Sequence, residues 1–161
     1  MYFIGTSEHT IDAKNRLAIP SKFRVRMDPD RDGKDFVIVR GRPPDRLWLY
    51  PERYFEALVS GARSALIPDG DQMHFDQLYF PAAELAELDS QGRILIPERM
   101  LRRAGLGREV LICGVRHHLE IRRRDSVDSE PAEGWGLCQE IEDKARAAYE
   151  NVVRQTGPEA G

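Results

Sequence analysis

Cysteine is scarce: the 161 residues hold two, Cys113 and Cys138. So sparse a pair builds no disulfide framework, and a reducing compartment is the simpler expectation. Long apolar runs are missing as well. No stretch approaches the ~20 residues that span a bilayer. The opening "MYFIGTSEHT" has neither a basic n-region nor a long apolar core, so a secretory leader is not expected. Frames for catalysis and metal binding are missing too. His9, His74, His117 and His118 form no H-E-x-x-H pair, and Cys113 belongs to no C-x-x-C. His117 and His118 are adjacent near a strand end, where alternation would send them to opposite faces. No glycine-rich phosphate loop and no nucleophile elbow occurs. These absences predict a soluble, cytoplasmic protein that is not an enzyme. They predict no metal, no cofactor, no small-molecule ligand and no membrane partner.

Net charge is also small, at −3, but it is unevenly spread. Residues 125–161 carry nine acids against three bases, a net −6, which leaves residues 1–124 at +3. A basic body with an acidic tail is compatible with a polyanionic partner, yet +3 over that length is mild and decides little.

What the chain does have is a repeat. "IDAKNRLAIP" at 11–20 and "LDSQGRILIP" at 88–97 match at a constant offset of 77: Asp12 with Asp89, Arg16 with Arg93, Pro20 with Pro97. Each copy continues alike. "SKFRVRM" follows Pro20 and "ERMLRRAGL" follows Pro97, and each has the length and composition of a short helix. Proline suits a helix start, and Gly105 a left-handed stop. Two strands follow in each copy, "FVIVRG" with "RLWLYP" and "EVLICG" with "HLEIRR". Each half therefore reads strand, Asp turn, strand, short helix, strand, turn, strand. A half this small buries a core poorly alone, so the two are expected to pack as a pseudo-symmetric pair.

The predicted organisation is a first unit at 1–50, a linking helical segment at 51–80, a second unit at 81–124, and an acidic linker with a helical tail at 125–161. In the linking segment Tyr54, Phe55, Leu58, Ala62 and Leu66 share one helical face. In the tail Cys138, Ile141, Ala145, Ala148 and Val152 form a short 3-4-3-4 seam. The fold class is mainly β with short helices, an α+β arrangement.

The turns carry the chemistry. In "DAKNR" and "DSQGR" the residues before the arginine are Asn15 and Gly92, which best tolerate positive φ. Asp12 and Asp89 can accept backbone N–H bonds within the loop or pair with the arginine. Arg16 and Arg93 stand where a turn meets a strand, on rigid support. From there a guanidinium fork could reach a phosphate or a guanine edge. Lys22, Arg24 and Arg26 flank the first turn, and Arg99, Arg102 and Arg103 the second. They are candidate contacts to a nucleic-acid backbone or ordinary surface charges.

The stretches "EHTIDAKNRLAIPSKFR", "RLWLYP", "LYFPAAELAELDSQGRILIPERMLRRAGL" and "VLICGV…LEI" resemble the MraZ family over residues 1–124. The resemblance implies two tandem AbrB-like swapped-hairpin units. It further implies a bacterial transcriptional regulator that binds repeated boxes of double-stranded DNA at its own promoter, ahead of the division and cell-wall gene cluster, usually as a repressor. A ring-shaped homo-oligomer associated with the nucleoid is implied as well. The family's DNA-reading positions fall on Lys14, Arg16 and Arg93, and Gln91 stands where Lys14 does. The family turn is usually Asp-x-x-Gly-Arg, so Asn15 is a departure, as is the tail. The rival reading is a protein-interaction scaffold or assembly hub without specific DNA binding.

Overall fold

Aspartate-closed turns and β-branched, alternating runs make both copies fold alike. The structure, a computed structural model, describes residues 1–61, 70–126, 139–148 and 150. Met1–Arg124 is one compact unit and Asp125–Gly161 another. The first copy supplies β1 (Thr6–Thr10), β2 (Arg16–Ala18), helix α1 (Ser21–Arg24), β3 (Phe36–Arg40) and β4 (Leu47–Pro51). Helices α2 (Glu52–Gly61) and α3 (Gly70–Tyr79) follow. The second copy supplies β5 (Glu84–Ala86), β6 (Arg93–Leu95), α4 (Glu98–Arg103), β7 (Glu109–Val115) and β8 (His118–Arg123). This is the expected α+β fold, an antiparallel sheet with a few short helices.

The strands are exchanged between the copies. One sheet has the order β1-β7-β8-β4-β3-β5, and β2 pairs with β6 in a separate two-stranded ribbon. β1 of the first copy thus lies on β7 of the second, and β5 of the second on β3 of the first. The order reads the same from either end once corresponding strands are interchanged. That is a pseudo-twofold arrangement about the β4–β8 pair. The core follows the repeat. Leu17 and Ile94, Ile19 and Ile96, Phe23 and Met100 occupy matching positions and are all buried in a single cluster. Neither copy could close that cluster alone, because each contributes one wall of it.

Helix α1 is shorter than the stretch "SKFRVRM". It ends at Arg24, and the exposed, β-branched Val25 starts the exit. α4 runs to Arg103 and stops before Gly105, which has φ +63°. On α2, Tyr54 and Phe55 are half-buried while Leu58 remains 48% exposed. Ala62 and Leu66 lie outside the described residues, as do Cys138 and Val152 of the tail seam. Residues 139–148 are helical, and Ile141 on them is exposed. Among the described residues no helix is long and apolar enough to cross a membrane.

His117 and His118 correct one expectation. They do not point to opposite faces. His117 stacks on Tyr54 with ring centroids 5.0 Å apart, and His118 lies 4.6 Å from Trp48 and 5.0 Å from Tyr50. Both rings join one aromatic cluster, since Tyr50 stacks on Tyr54. The reason is local. His117 sits in the tight β7–β8 turn beside Arg116 at φ +59°, where strand alternation no longer applies.

Beside this cluster Glu120 is buried on the sheet face opposite Leu119 and Ile121. It accepts hydrogen bonds from Arg122 Nε at 2.8 Å and Arg46 Nη1 at 3.4 Å, and it meets His118 Nε2 at 3.4 Å. Burial alone would raise its carboxyl. The His118 and Arg122 bonds, with the charges of Arg122 and Arg46, outweigh burial and hold it at about 2. A folded value below the ordinary 4.5 means the stabilisation is present above pH 4.5 and is lost as pH falls through about 2. Glu120→Gln should therefore cost about 1.5–3 kcal/mol at pH 7 and flatten this part of the acid loss. Urea midpoints at pH 7 and pH 3 would read both effects.

Candidate functional site

The two Asp–Arg turns are superposable in their bonding. Asp12 Oδ1 accepts the backbone N–H of Lys14 and of Arg16, both at 2.9 Å, and Oδ2 accepts Arg16 Nε at 2.8 Å. The main chain closes the same loop, with Asp12 N–H donating to Arg16 O and Asn15 N–H to Asp12 O, both at 3.0 Å. In the second copy Asp89 Oδ1 accepts Gln91 N–H at 2.8 Å and Arg93 N–H at 2.9 Å, and Oδ2 accepts Arg93 Nε at 2.9 Å. Asn15 takes φ +60° and Gly92 φ +73°, the left-handed conformation that lets the chain reverse.

The electrostatics follow from those bonds. In each copy the arginine's backbone N–H is the largest influence holding the aspartate below the usual carboxylate range, helped by its guanidinium and the N–H two residues after the aspartate. Partial desolvation opposes this without reversing it. The arginines are consequently fixed but not used up. Each binds its aspartate through Nε, and its terminal NH₂ groups donate no hydrogen bond among the described residues.

The exchange then brings the two turns together. In the β2–β6 ribbon Arg16 lies opposite Leu95, Leu17 opposite Ile94 and Ala18 opposite Arg93. Leu17 and Ile94 point into the core, so alternation puts Arg16, Ala18, Arg93 and Leu95 on the other face. Leu95 is 60% exposed there. Ile19 N–H donates to Gly92 O and Ile96 N–H to Asn15 O, both at 2.9 Å, which ties each tip to the other copy's strand. Two arginines from distant repeats thus share one face of one rigid ribbon.

The tips differ in what surrounds them. At the first, Lys14 is exposed and Asn15 is clamped. Its Nδ2 donates to Glu98 Oε2 at 2.8 Å, and its Oδ1 accepts Arg108 Nη1 at 2.9 Å. Arg108 also donates to Asp12 O. Sequence reasoning passed over Arg108, since it lies in a loop far along the chain with no local pattern to mark it. At the second tip Gly92 leaves room for Arg24 of the first copy. A Cβ on Gly92 would stand 2.7 Å from the Arg24 guanidinium carbon, and Arg24 is anchored by Nε donating to Ile19 O at 2.9 Å.

The other flanking bases are placed elsewhere. Lys22 donates to Thr6 O, and Arg26 lies 5.2 Å over the Tyr2 ring. Arg99 pairs with Glu84 at 2.6 Å. Arg102 and Arg103 are exposed on α4. Among the described residues no group of three or more His, Cys, Asp or Glu could hold a metal ion.

Gly92→Ala should strain the φ of +73° and displace Arg24, lowering stability by about 1–2 kcal/mol. Gly92→Asn should lose less, since asparagine tolerates that conformation at Asn15. Chemical denaturation of the two variants tests the difference.

Comparison with known proteins places this geometry in context. The family described as "MraZ protein, putative antitoxin-like" matches residues 2–75 and 79–127. Proteins named Transcriptional regulator MraZ are similar over most of their length. That of Moorella thermoacetica is 34% identical over 94% of this chain and 96% of its own. That of Thermomicrobium roseum is 39% identical over 86% and 96%, and that of Acetivibrio thermocellus 36% identical over 79% and 85%.

Proposed function

The chain belongs to the MraZ family, and on that premise we propose that it is a transcriptional regulator that binds double-stranded DNA with the outer face of the β2–β6 ribbon. The observation that carries this reading is the sharing of one face by Arg16 and Arg93, each fixed through Nε and each with spare donors. A B-DNA major groove admits a two-stranded ribbon, and an arginine fork matches guanine O6 and N7. A scaffold has no need of matched cations on a rigid ribbon.

In this reading Arg16 and Arg93 meet base edges or phosphate, and Lys14 meets phosphate. Asp12, Asn15, Asp89 and Gly92 shape the turns. Arg24 supplies the second tip with the cation that Gln91 does not, because its guanidinium already lies on Gly92. Arg108 plays a similar part at the first tip. Lys22, Arg26, Arg99, Arg102 and Arg103 are further candidates for backbone contacts.

The finer parts of the reading rest on family resemblance. They are repression from repeated boxes at the protein's own promoter, ahead of the division and cell-wall gene cluster, by a ring of subunits at the nucleoid. One ribbon offers few contacts. Several ribbons on a ring, meeting boxes spaced near one helical turn of ~10 bp, would gain avidity without new chemistry. Exposed apolar groups support assembly: Leu58 on α2 is 48% exposed and Leu85 on the edge strand β5 is 51% exposed. Light scattering should find a species several times 18.4 kDa. A strict monomer at micromolar concentration would exclude the ring.

The experiment for the DNA reading is a mobility shift with the protein's own upstream region against random duplex. Preferential retardation of the upstream region supports specific regulation. Equal, salt-sensitive binding leaves only electrostatic attraction. No binding of either duplex favours the scaffold.

A further inference from the structure

A cavity of about 510 Å³ opens between the end of β3, the start of β4, α3 and α4. That volume lies in the ~300–1,000 Å³ range of small-molecule sites. Its composition is unusual for a leftover gap. Leu47 and Met100 of the core and Leu78 of α3 give it an apolar wall, and Arg40, Arg99 and Arg103 also line it. Among the described residues Arg99 alone of the three has an acidic partner, Glu84. Arg40 and Arg103 are exposed at the cavity rim beside apolar surface, with no acidic partner among the described residues.

We infer that this cavity binds an amphipathic anion, a single phosphate or carboxylate head on an apolar chain or ring, and that its occupancy weakens DNA binding through α4. The head would sit on Arg40 and Arg103, where charge-assisted hydrogen bonds are strongest beside low-dielectric surface. The tail would cover Leu47, Met100 and Leu78. The hydroxyl of Tyr79 lies within reach of Arg40's field and stays protonated, because burial raises its pKa. Tyr79 therefore lines the cavity as a neutral group.

The regulatory half rests on the proposed DNA reading and on one further contact. α4 lines the cavity with Arg99, Met100 and Arg103, and its first residue, Glu98, holds Asn15 Nδ2 at 2.8 Å. The helix is six residues, about 9 Å end to end. A head group on Arg103 bears on the same short helix whose first residue clamps the first turn.

Isothermal titration of the full chain with dodecyl phosphate, kept below its micellar concentration, tests the site. One-to-one binding is expected, with dodecanol and inorganic phosphate each weaker by about tenfold or more. Arg40→Gln should weaken dodecyl phosphate about tenfold. Leu78→Glu, at a position 63% exposed, should weaken dodecyl phosphate by putting a charge where the tail lies, without disturbing the core. Equal binding of dodecanol and dodecyl phosphate, or binding unchanged in both variants, would overturn the site. In a parallel measurement, dodecyl phosphate should lower the DNA affinity of the wild type and leave that of Arg40→Gln nearly unchanged. DNA affinity that ignores the probe while calorimetry shows binding would overturn the regulatory half. Absence of DNA binding without the probe would refute the ribbon reading and not the cavity.

Discussion

Replacing Arg16 and Arg93 together by alanine is expected to lower affinity for the preferred duplex by at least about thirtyfold while the protein stays folded. The lower bound takes about 1 kcal/mol of base discrimination per arginine, two arginines, and 1.4 kcal/mol per tenfold. Folding should survive because each aspartate keeps its backbone bonds: Asp12 Oδ1 still receives two N–H groups, and so does Asp89 Oδ1. What is lost is the Oδ2 partner, a partly exposed ion pair of small net worth. The pattern of loss separates two mechanisms. If the arginines read guanine, the preferred site loses far more than random duplex. If they meet only phosphate, all sequences weaken alike and the salt dependence becomes shallower.

The second large effect is on stability. Leu17→Ala and Ile94→Ala should each cost about 2–5 kcal/mol, since both side chains are fully buried and face each other across the ribbon. That is a large share of the ~5–15 kcal/mol that stabilises an ordinary domain. Because the two residues come from different copies, their coupling reports on the exchange itself. The double variant should lose clearly less than the sum, as one cavity serves both deletions. Additivity within about 0.5 kcal/mol would mean that the two copies do not share this wall. Urea unfolding of the three variants supplies the numbers.

Much of this architecture was legible in the chain. The 77-residue offset locates both turns, and Asn15 and Gly92 mark the positions of positive φ. Period-two runs located β3, β4, β7 and β8. The choice of partners was not legible. β2 and β6 have nearly the same apolar pattern, so alternation cannot distinguish pairing within a copy from pairing across copies; resemblance alone suggested the exchange. The asymmetry of the tips was hidden for a related reason. Arg24 reaches Gly92, and Arg108 reaches Asn15, over long sequence separations that no local motif encodes. Helix α3 carries little signal of its own, because Met73, Phe75 and Leu78 are all exposed and define no buried stripe. His117 escapes the strand rule because it sits in a turn.

The account depends on which surface meets DNA, and site-specific photocrosslinking measures that directly. A benzophenone side chain at Leu95 sits on the ribbon face beside Arg16. One at Leu85 sits on the edge strand β5, and both positions are exposed enough to accept it. The ribbon account predicts an efficient crosslink to duplex DNA from position 95 and little from position 85. Crosslinking from position 85 with none from position 95, in folded protein that still binds DNA, would contradict it.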